Sequence, residues 1–296
     1  MITIRPVHGD ADLQAWVSIR NTVVPNEPTT VAATLAAAAP GRVLVLAELG
    51  GELSACGIAD RSNFGNKAFI AVRVLPEARR RGIGSALVAH LVDHARALGL
   101  DGVNAFVYAD EPHSIAFAEG LGLREVDFQL EQRRTIGLEP APAAPARVEL
   151  VALGEQRDEL LLRVWPVALQ GYEDMPIPGE VNYPQDTWLR EEATRPDGSF
   201  VALEDGEIVG YAGLMEHADG PAFAEHGLTV VRRDRRGRGI ARALKLSQLH
   251  WAAGAGVAEL HTWTQKGNEA MQALNRSLGY RDVSKVLTYQ GPLPEV

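Results

Sequence analysis

Arg79-Arg80-Arg81-Gly82-Ile83-Gly84-Ser85-Ala86-Leu87 recurs as Arg236-Gly237-Arg238-Gly239-Ile240-Ala241-Arg242-Ala243-Leu244, with six of nine positions identical. The offset is 157 residues, and Leu121-Gly122-Leu123-Arg124 meets Leu278-Gly279-Tyr280-Arg281 at the same offset. Two separated segments sharing one spacing are the mark of an internal repeat. A third match, Gly51-Glu52-Leu53 with Gly206-Glu207-Ile208, falls at 155 and points to small insertions. The chain therefore reads as two copies of one domain, 1–137 and 147–296. A Pro- and Ala-rich stretch, 138–146, suits a semi-rigid linker between them.

Working outward from the glycine stretch, each copy shows mixed helix and strand signals. Thr3–Pro6 and Arg147–Val151 read as opening strands. Val43–Glu48 and Glu52–Ile58 flank a Leu49-Gly50-Gly51 turn; Ser199–Glu204 and Glu207–Gly213 flank Asp205-Gly206. The apolar runs Phe69–Leu75 and Gly227–Val231 enter the glycine stretch, and Ile83, Leu87, Val88, Leu91, Val92, Ala95 and Leu98 then recur at helical spacing before Gly99. A strand, a short helix ending in Leu-Gly and a final strand close each copy. The order β-α-α-β-β-β-α-β-α-β predicts an α/β (α+β) fold with a mixed sheet, twice.

At 296 residues, two domains is also the expectation from length. A composition of 46% hydrophobic and 23% charged residues excludes a disordered or fibrous chain. No apolar run approaches the roughly 20 residues of a membrane span, and Met1–Pro6 lacks a secretory core, so a cytoplasmic protein without a membrane partner is expected. The net charge of −9 argues against nucleic acid. The single cysteine, Cys56, permits no internal disulfide and reads as a buried thiol. His90 and His94 stand at i, i+4 with no third ligand in view, so no metal is expected.

A strand that enters Arg-x-x-Gly-x-Gly/Ala and turns directly into a helix has a physical use. The glycines permit positive φ and close approach of a ligand. The first amides of the helix lack intrahelical partners and carry the positive end of its dipole. Together they form a phosphate-sized cradle. Ile83 and Ile240 face inward and hold the loop on the sheet. A single copy reads equally well as a solvated basic turn, and Arg232–Arg236 could touch nucleic acid; recurrence at the same place in the repeat favours phosphate.

Val74–Gly84 and Val231–Ala241 resemble motif A of the GCN5-related N-acetyltransferases, Q/R-x-x-G-x-G/A, and the Leu-Gly-Leu and Leu-Gly-Tyr endings resemble that family's motif B. The resemblance covers both copies and is of the tandem type. It implies an acetyl-CoA site in which motif A amides grip the pyrophosphate, here Arg79, Arg80, Arg81, Gly82, Ile83 and Gly84, and Arg236, Gly237, Arg238, Gly239, Ile240 and Ala241. It implies that pantetheine pairs with the preceding strand, Val72, Arg73 and Val74 or Thr229, Val230 and Val231, where that strand splays from its neighbour. An amine of a small molecule or peptide then attacks the thioester directly, helped by a strand amide and a general base. The alternative is a non-catalytic protein that binds or senses acyl-CoA.

The family's Asn at the start of the motif B helix matches Asn268, read either as a CoA contact or as a helix N-cap. Asn275 stands where the family often has a tyrosine acid; an amide cannot donate a proton as an acid, though it can hydrogen-bond the sulfur or a water. The first copy has Glu111 and Ala118 instead, with His113 and Ser114 read as caps. Glu225 and His226 in the second copy are the candidate bases, whereas Phe69–Val72 offers none. The second copy is therefore expected to be catalytic. Its longer segment before the hairpin, with Tyr172, Glu173, Asp174 and Tyr183, is expected to cover a cationic or aromatic amine, or else to be a solvated loop. The oligomeric state is not legible.

Overall fold

A computed structural model describes residues 1–25, 27–62, 65–175 and 184–295. The first repeat runs β1 (Ile2–Pro6), α1 (Gly9–Val23), α2 (Val31–Ala36), β2 (Val43–Leu49), β3 (Glu52–Arg61), β4 (Lys67–Val74), α3 (Ile83–Ala97), β5 (Gly102–Tyr108), α4 (Pro112–Gly120) and β6 (Arg124–Thr135). The second runs β7 (Glu149–Ala152), α5 (Arg157–Glu173), α6 (Gln185–Glu191), β8 (Phe200–Glu204), β9 (Glu207–Glu216), β10 (Phe223–Val231), α7 (Ile240–Gly254), β11 (Glu259–Gln265), α8 (Glu269–Ser277) and β12 (Arg281–Pro292). The order in each repeat is the one the sequence predicts.

The chain folds into two compact units, 1–127 with 286–296, and 128–285. Their limits differ from the repeat boundary at 137–147. In the first unit, residues 286–292 of β12 lie antiparallel on β5, from Val286 opposite Tyr108 to Pro292 opposite Gly102. In the second, residues 129–135 of β6 lie antiparallel on β11. Each repeat's closing strand thus belongs to the unit built by the other repeat. Side chains fit these pairings. Gln290 donates to Asn104 Oδ1 at 3.0 Å in the first unit, and Gln132 donates to Asp282 Oδ1 at 2.8 Å in the second.

Helix α3 buries Ile83, Leu87, Val88, Leu91, Val92 and Ala95 as the spacing requires. It stops where Gly99 turns to φ +71° and the Leu100 amide returns to the Ala95 carbonyl. On the other face of the first sheet Trp16, Ile19, Leu46, Cys56 and Ile58 form one cluster, and the Trp16 indole donates to the Gly57 carbonyl at 2.9 Å. Burial pushes the Cys56 thiol up to about 12, which leaves it inert. In the second unit α5 and α6 cover a core containing Leu161, Val164, Trp188, Tyr211, Leu228 and Val230, while α7 packs Ile240 and Leu244 on Ala202, Val209 and Ala212. His113 and Ser114 lie inside α4 rather than capping it; the cap position is Glu111. His94 is bonded to the Gly41 carbonyl at 2.8 Å.

A chain ending at Lys285 should leave all seven residues of β5 with a bare edge. We expect hydrogen exchange at 102–108 to lose protection and the first unit to melt early, because a strand edge supplies backbone partners that buried amides need. Unchanged protection there would refute the assignment of β12 to that unit.

Candidate functional site

The two glycine loops share one backbone conformation. Arg80 and Gly82 have φ of 61° and 82°; Gly237 and Gly239 have 75° and 80°. Gly82 and Gly239 are the N-caps of α3 and α7, and neither cap offers a side-chain bond to the first helical amides. The first amides to find a helical partner are Ala86, on Gly82 O, and Ala243, on Gly239 O. Three amides ahead of each therefore point outward, the arrangement that receives phosphate oxygens. A Cβ built on Gly237 or Gly239 meets nothing within 4 Å, so the space above the second loop is open.

The loop arginines do less than their charge suggests. Arg79 Nε donates to Val74 O at 3.1 Å, and Arg236 Nε donates to Val231 O at 3.0 Å. In both copies this arginine fastens the loop to the end of its strand. In the second unit the remaining guanidiniums are matched by carboxylates. Arg233 bonds Glu173 and Asp174, each at 2.8 Å, and Arg236 also bonds Asp174. Arg235 and Arg238 both bond Glu204 at 2.6 Å. These bonds pull Asp174 and Glu204 down to about 2. Glu173 and Asp174 are thus paired with the loop arginines, where the sequence left open an amine-facing or a solvated segment. Tyr172 packs on the Trp188–Tyr211 core, and Tyr183 lies outside the described residues.

Strand β10 carries the decisive irregularity. Its pairing with β9 runs Glu225↔Met215 and His226↔Leu214, then resumes at Thr229↔Ala212. Gly227 and Leu228 therefore share one opposing residue, Gly213, which makes a bulge. Its parallel ladder with β11 covers only Phe223–Glu225 before the strands part. Glu192, just past α6, reaches this bulge. It accepts from Tyr211 Oη at 3.0 Å and from the Leu228 amide at 3.2 Å. A Cβ on Gly227 or Gly213 would strike its carboxylate, at 2.1 and 1.9 Å, so both glycines make room for it. Burial raises Glu192 to about 7.

Glu225 precedes the bulge on the Met215 side, half-buried, and its carboxyl is raised chiefly by burial. His226 points to the opposite face, as neighbours on a strand must. It is buried, its Nε2 meets the Tyr280 hydroxyl, and burial followed by the charge of Lys245 drives its pKa well down. The structure therefore separates Glu225 from His226. Asn275 is wholly buried, with Nδ2 on Gln132 Oε1 at 2.9 Å. Its Oδ1 and Thr229 Oγ1 are buried without partners. Such orphaned polar atoms call for a polar ligand, and pantetheine beside the parted strands fits them. Asn268 occupies the N-cap of α8 but makes no capping bond, so that side chain is not spent on the helix.

The first unit keeps the cradle but not the bulge. β4 pairs with β3 without a break from Ala55↔Val74 to Arg61↔Ala68, while its parallel ladder with β5 covers only Lys67–Phe69. Sequence reasoning missed Glu192 altogether. Its only written signal was a second consecutive glutamate after an amphipathic stretch.

A model described as the Acetyltransferase (GNAT) family matches residues 13–123 and 165–280. The chain belongs to this family. A mycothiol acetyltransferase of Mycobacteroides abscessus is 30% identical over 213 residues, 70% of this chain and 69% of that protein. One from Thermobispora bispora is 28% identical over 270 residues, covering 86% and 85%. Among solved structures, a GCN5-related N-acetyltransferase from Sphaerobacter thermophilus aligns with TM-score 0.80 at 21% identity, covering 99% of this chain and 96% of that one. A tandem GNAT protein from the clavulanic acid biosynthesis pathway aligns with TM-score 0.73 at 21% identity over the whole of both chains. These two establish the fold. The protein is an acyltransferase, and acetyl transfer from acetyl-CoA to an amine is the chemistry of this GNAT chain.

Gly239→Glu places a carboxylate in the open cradle at a position with φ of 80°. We expect it to remove the calorimetric signal of CoA binding at the second loop, while Gly239→Ala costs about 1 kcal/mol of stability through backbone strain alone. The matching Gly82→Glu reports on the first loop. Full binding by both glutamate variants would exclude the loops as the diphosphate site.

Proposed function

We propose that the second repeat is the acetylating half, and that it transfers acetyl from acetyl-CoA to the amine of a small, cationic acceptor. The observation that carries this reading is the acid-lined bulge of β10. Two carboxyls raised by burial, Glu192 and Glu225, stand on the α5 side of the strand, and β4 has neither bulge nor acid. An acidic face favours a positively charged amine. The relatives' name, mycothiol acetyltransferase, supports a small molecule over a peptide.

In this reading the diphosphate rests on the amides of Arg236–Ala241, with Asn268 free to contact the cofactor. Pantetheine follows Thr229–Val231 past Asn275, which accepts a hydrogen bond through Oδ1. Glu225, half-buried at the lip of the bulge, takes a proton from the ammonium. The freed amine attacks the thioester carbonyl, and a bulge amide steadies the developing oxyanion. As the C–S bond breaks CoA leaves as its thiolate, which takes up the second proton shed by the nitrogen to give the free thiol and the amide. Glu192 positions the bulge through Tyr211 and the Leu228 amide, and it adds negative charge for the acceptor only in its ionised form, which burial disfavours. His226 is neutral and faces the α7 core, so its part is support rather than proton transfer. The cytoplasm, expected from the sequence, suits an acetyl-CoA user.

Steady-state kinetics on single variants test this. Glu225→Gln should lower kcat about 10²–10³-fold with the melting temperature unchanged, in the range of a lost general base. His226→Ala should instead lower stability and leave the acidic limb of the pH profile in place. Wild-type turnover by Glu225→Gln would end the assignment.

Glu192 also makes a prediction about stability. Its folded pKa, about 7, lies above that of an unfolded glutamate, so the folded state holds the extra proton. Stability is full below the unfolded value and falls as pH rises to about 7, by roughly 1.4 kcal/mol per pH unit within that window. Glu192→Gln should flatten this slope in denaturation experiments from pH 4 to pH 8. An identical slope in the variant would contradict the burial argument.

A further inference from the structure

The first unit has its own cluster at the corresponding opening, with the opposite charge. Beyond Phe69↔Asn104 the β4 and β5 strands part. Arg73 follows Phe69 and Ala71 on the α1 side of β4, where those two pack on the Trp16 cluster. Its guanidinium is mostly buried, and Nη1 has no hydrogen-bond partner. Arg20 of α1 lies close enough to press the Arg73 pKa down, after burial itself. The Arg20 side chain is also well covered, at 14% exposure.

The available counter-charge is thin. Glu27 is half exposed and only 4.0 Å from Arg20 Nη2. It accepts from the Tyr108 hydroxyl of β5 and makes no ion pair with Arg73 among the described residues. Phe69 and Phe106 flank the opening with rings 5.6 Å apart, and Phe106 is 45% exposed. Arg20 Nη1 also donates to the Glu27 main-chain carbonyl and to Asn21 Oδ1 at 3.2 Å, so Arg20 is tied to this segment, and Arg73 is the guanidinium that keeps a bare nitrogen beside the aromatic-edged opening. A buried cation without a partner is costly, and arginine's planar fork matches a carboxylate in two parallel bonds.

We propose that this cleft of the first unit binds a carboxylate, seated between Arg73 and Arg20, with Glu27 moving aside to admit it. The site is independent of the acetylating reading of the second repeat. The carboxylate arrives either as the far end of a CoA thioester's acyl group, since the cradle at Arg79–Gly84 lies at the end of the same strand, or as a free acid. Bound there, it forms the ion pair that Arg73 lacks. The contrast with the acid-lined bulge of β10 means that the two repeats select opposite charges on matching faces.

Calorimetry on the full chain tests the site with succinyl-CoA, acetyl-CoA and succinate as probes. The wild type should take succinyl-CoA about tenfold or more tighter than acetyl-CoA, the gain expected of one charge-assisted pair, or should bind succinate alone. The first result identifies an acyl tip and the second a free acid. Either preference should vanish in Arg73→Met, and Glu27→Gln should strengthen it by removing the competitor. Arg73→Met relieves an unpaired buried charge, so its Tm should equal or exceed that of the wild type; Arg20→Met provides an independent second variant. Equal affinity for the two thioesters with no succinate binding would overturn the proposal, and so would a carboxylate preference that survives Arg73→Met.

Discussion

One extra residue in β10, between His226 and Thr229, decides what the second repeat can do. In a regular strand Leu228 would share a face with His226. The bulge turns Leu228 and Val230 toward α5 and α6 instead, where both join the Trp188–Tyr211 core. It also presents the Leu228 amide to that side, where Glu192 receives it. The strand cannot keep full pairing with β9 and expose a donor at its centre. Gly213 and Gly227 resolve the conflict by leaving volume for a carboxylate where any side chain would collide.

The cradles show what duplication has preserved. Both loops place left-handed residues two apart, both fasten an arginine to the strand carbonyl, and both leave the helix start uncapped. The difference is electrostatic. Asp174 and Glu204 bind four guanidiniums around the second loop, so its backbone amides, rather than its arginines, carry the attraction for an anion. The arginines and Asp174 are partly exposed, so the Asp174 pairs contribute little to stability, whereas Glu204 is covered by its two partners. The effect of the Asp174 pairs is to fix the end of α5 beside the loop.

The hairpins, the glycine turns and the helix after each loop were legible because each rests on local chemistry: Gly at positive φ, apolar residues at period two or 3.6. Three features were not. Glu225 and His226 are adjacent letters, and only the pleat sends them to opposite faces. Glu192 lies far from β10 in sequence and meets it through α6 packing, a long-range contact that no spacing rule encodes. The closing strands β6 and β12 could pair within their own repeats as far as hydrophobic pattern goes. What selects the partner is a set of polar matches, Gln132 with Asn275 and Asp282, and Gln290 with Asn104.

The faces of β4 and β10 then stand as a comparison made within one chain. Position for position, Tyr211 opposite Val230 in the second unit corresponds to Cys56 opposite Arg73 in the first. Tyr211 donates to a buried acid; Cys56 is a closed thiol that neither donates strongly nor ionises. With no carboxylate under it, Arg73 keeps a bare guanidinium nitrogen in the interior. Both buried charges oppose stability, one as a carboxyl forced toward neutrality and the other as a cation that cannot shed its proton. A fold under selection for stability alone would replace both with apolar side chains. That each sits where β-strands part above an anion cradle argues that both clefts are kept for ligands, and for ligands of opposite sign.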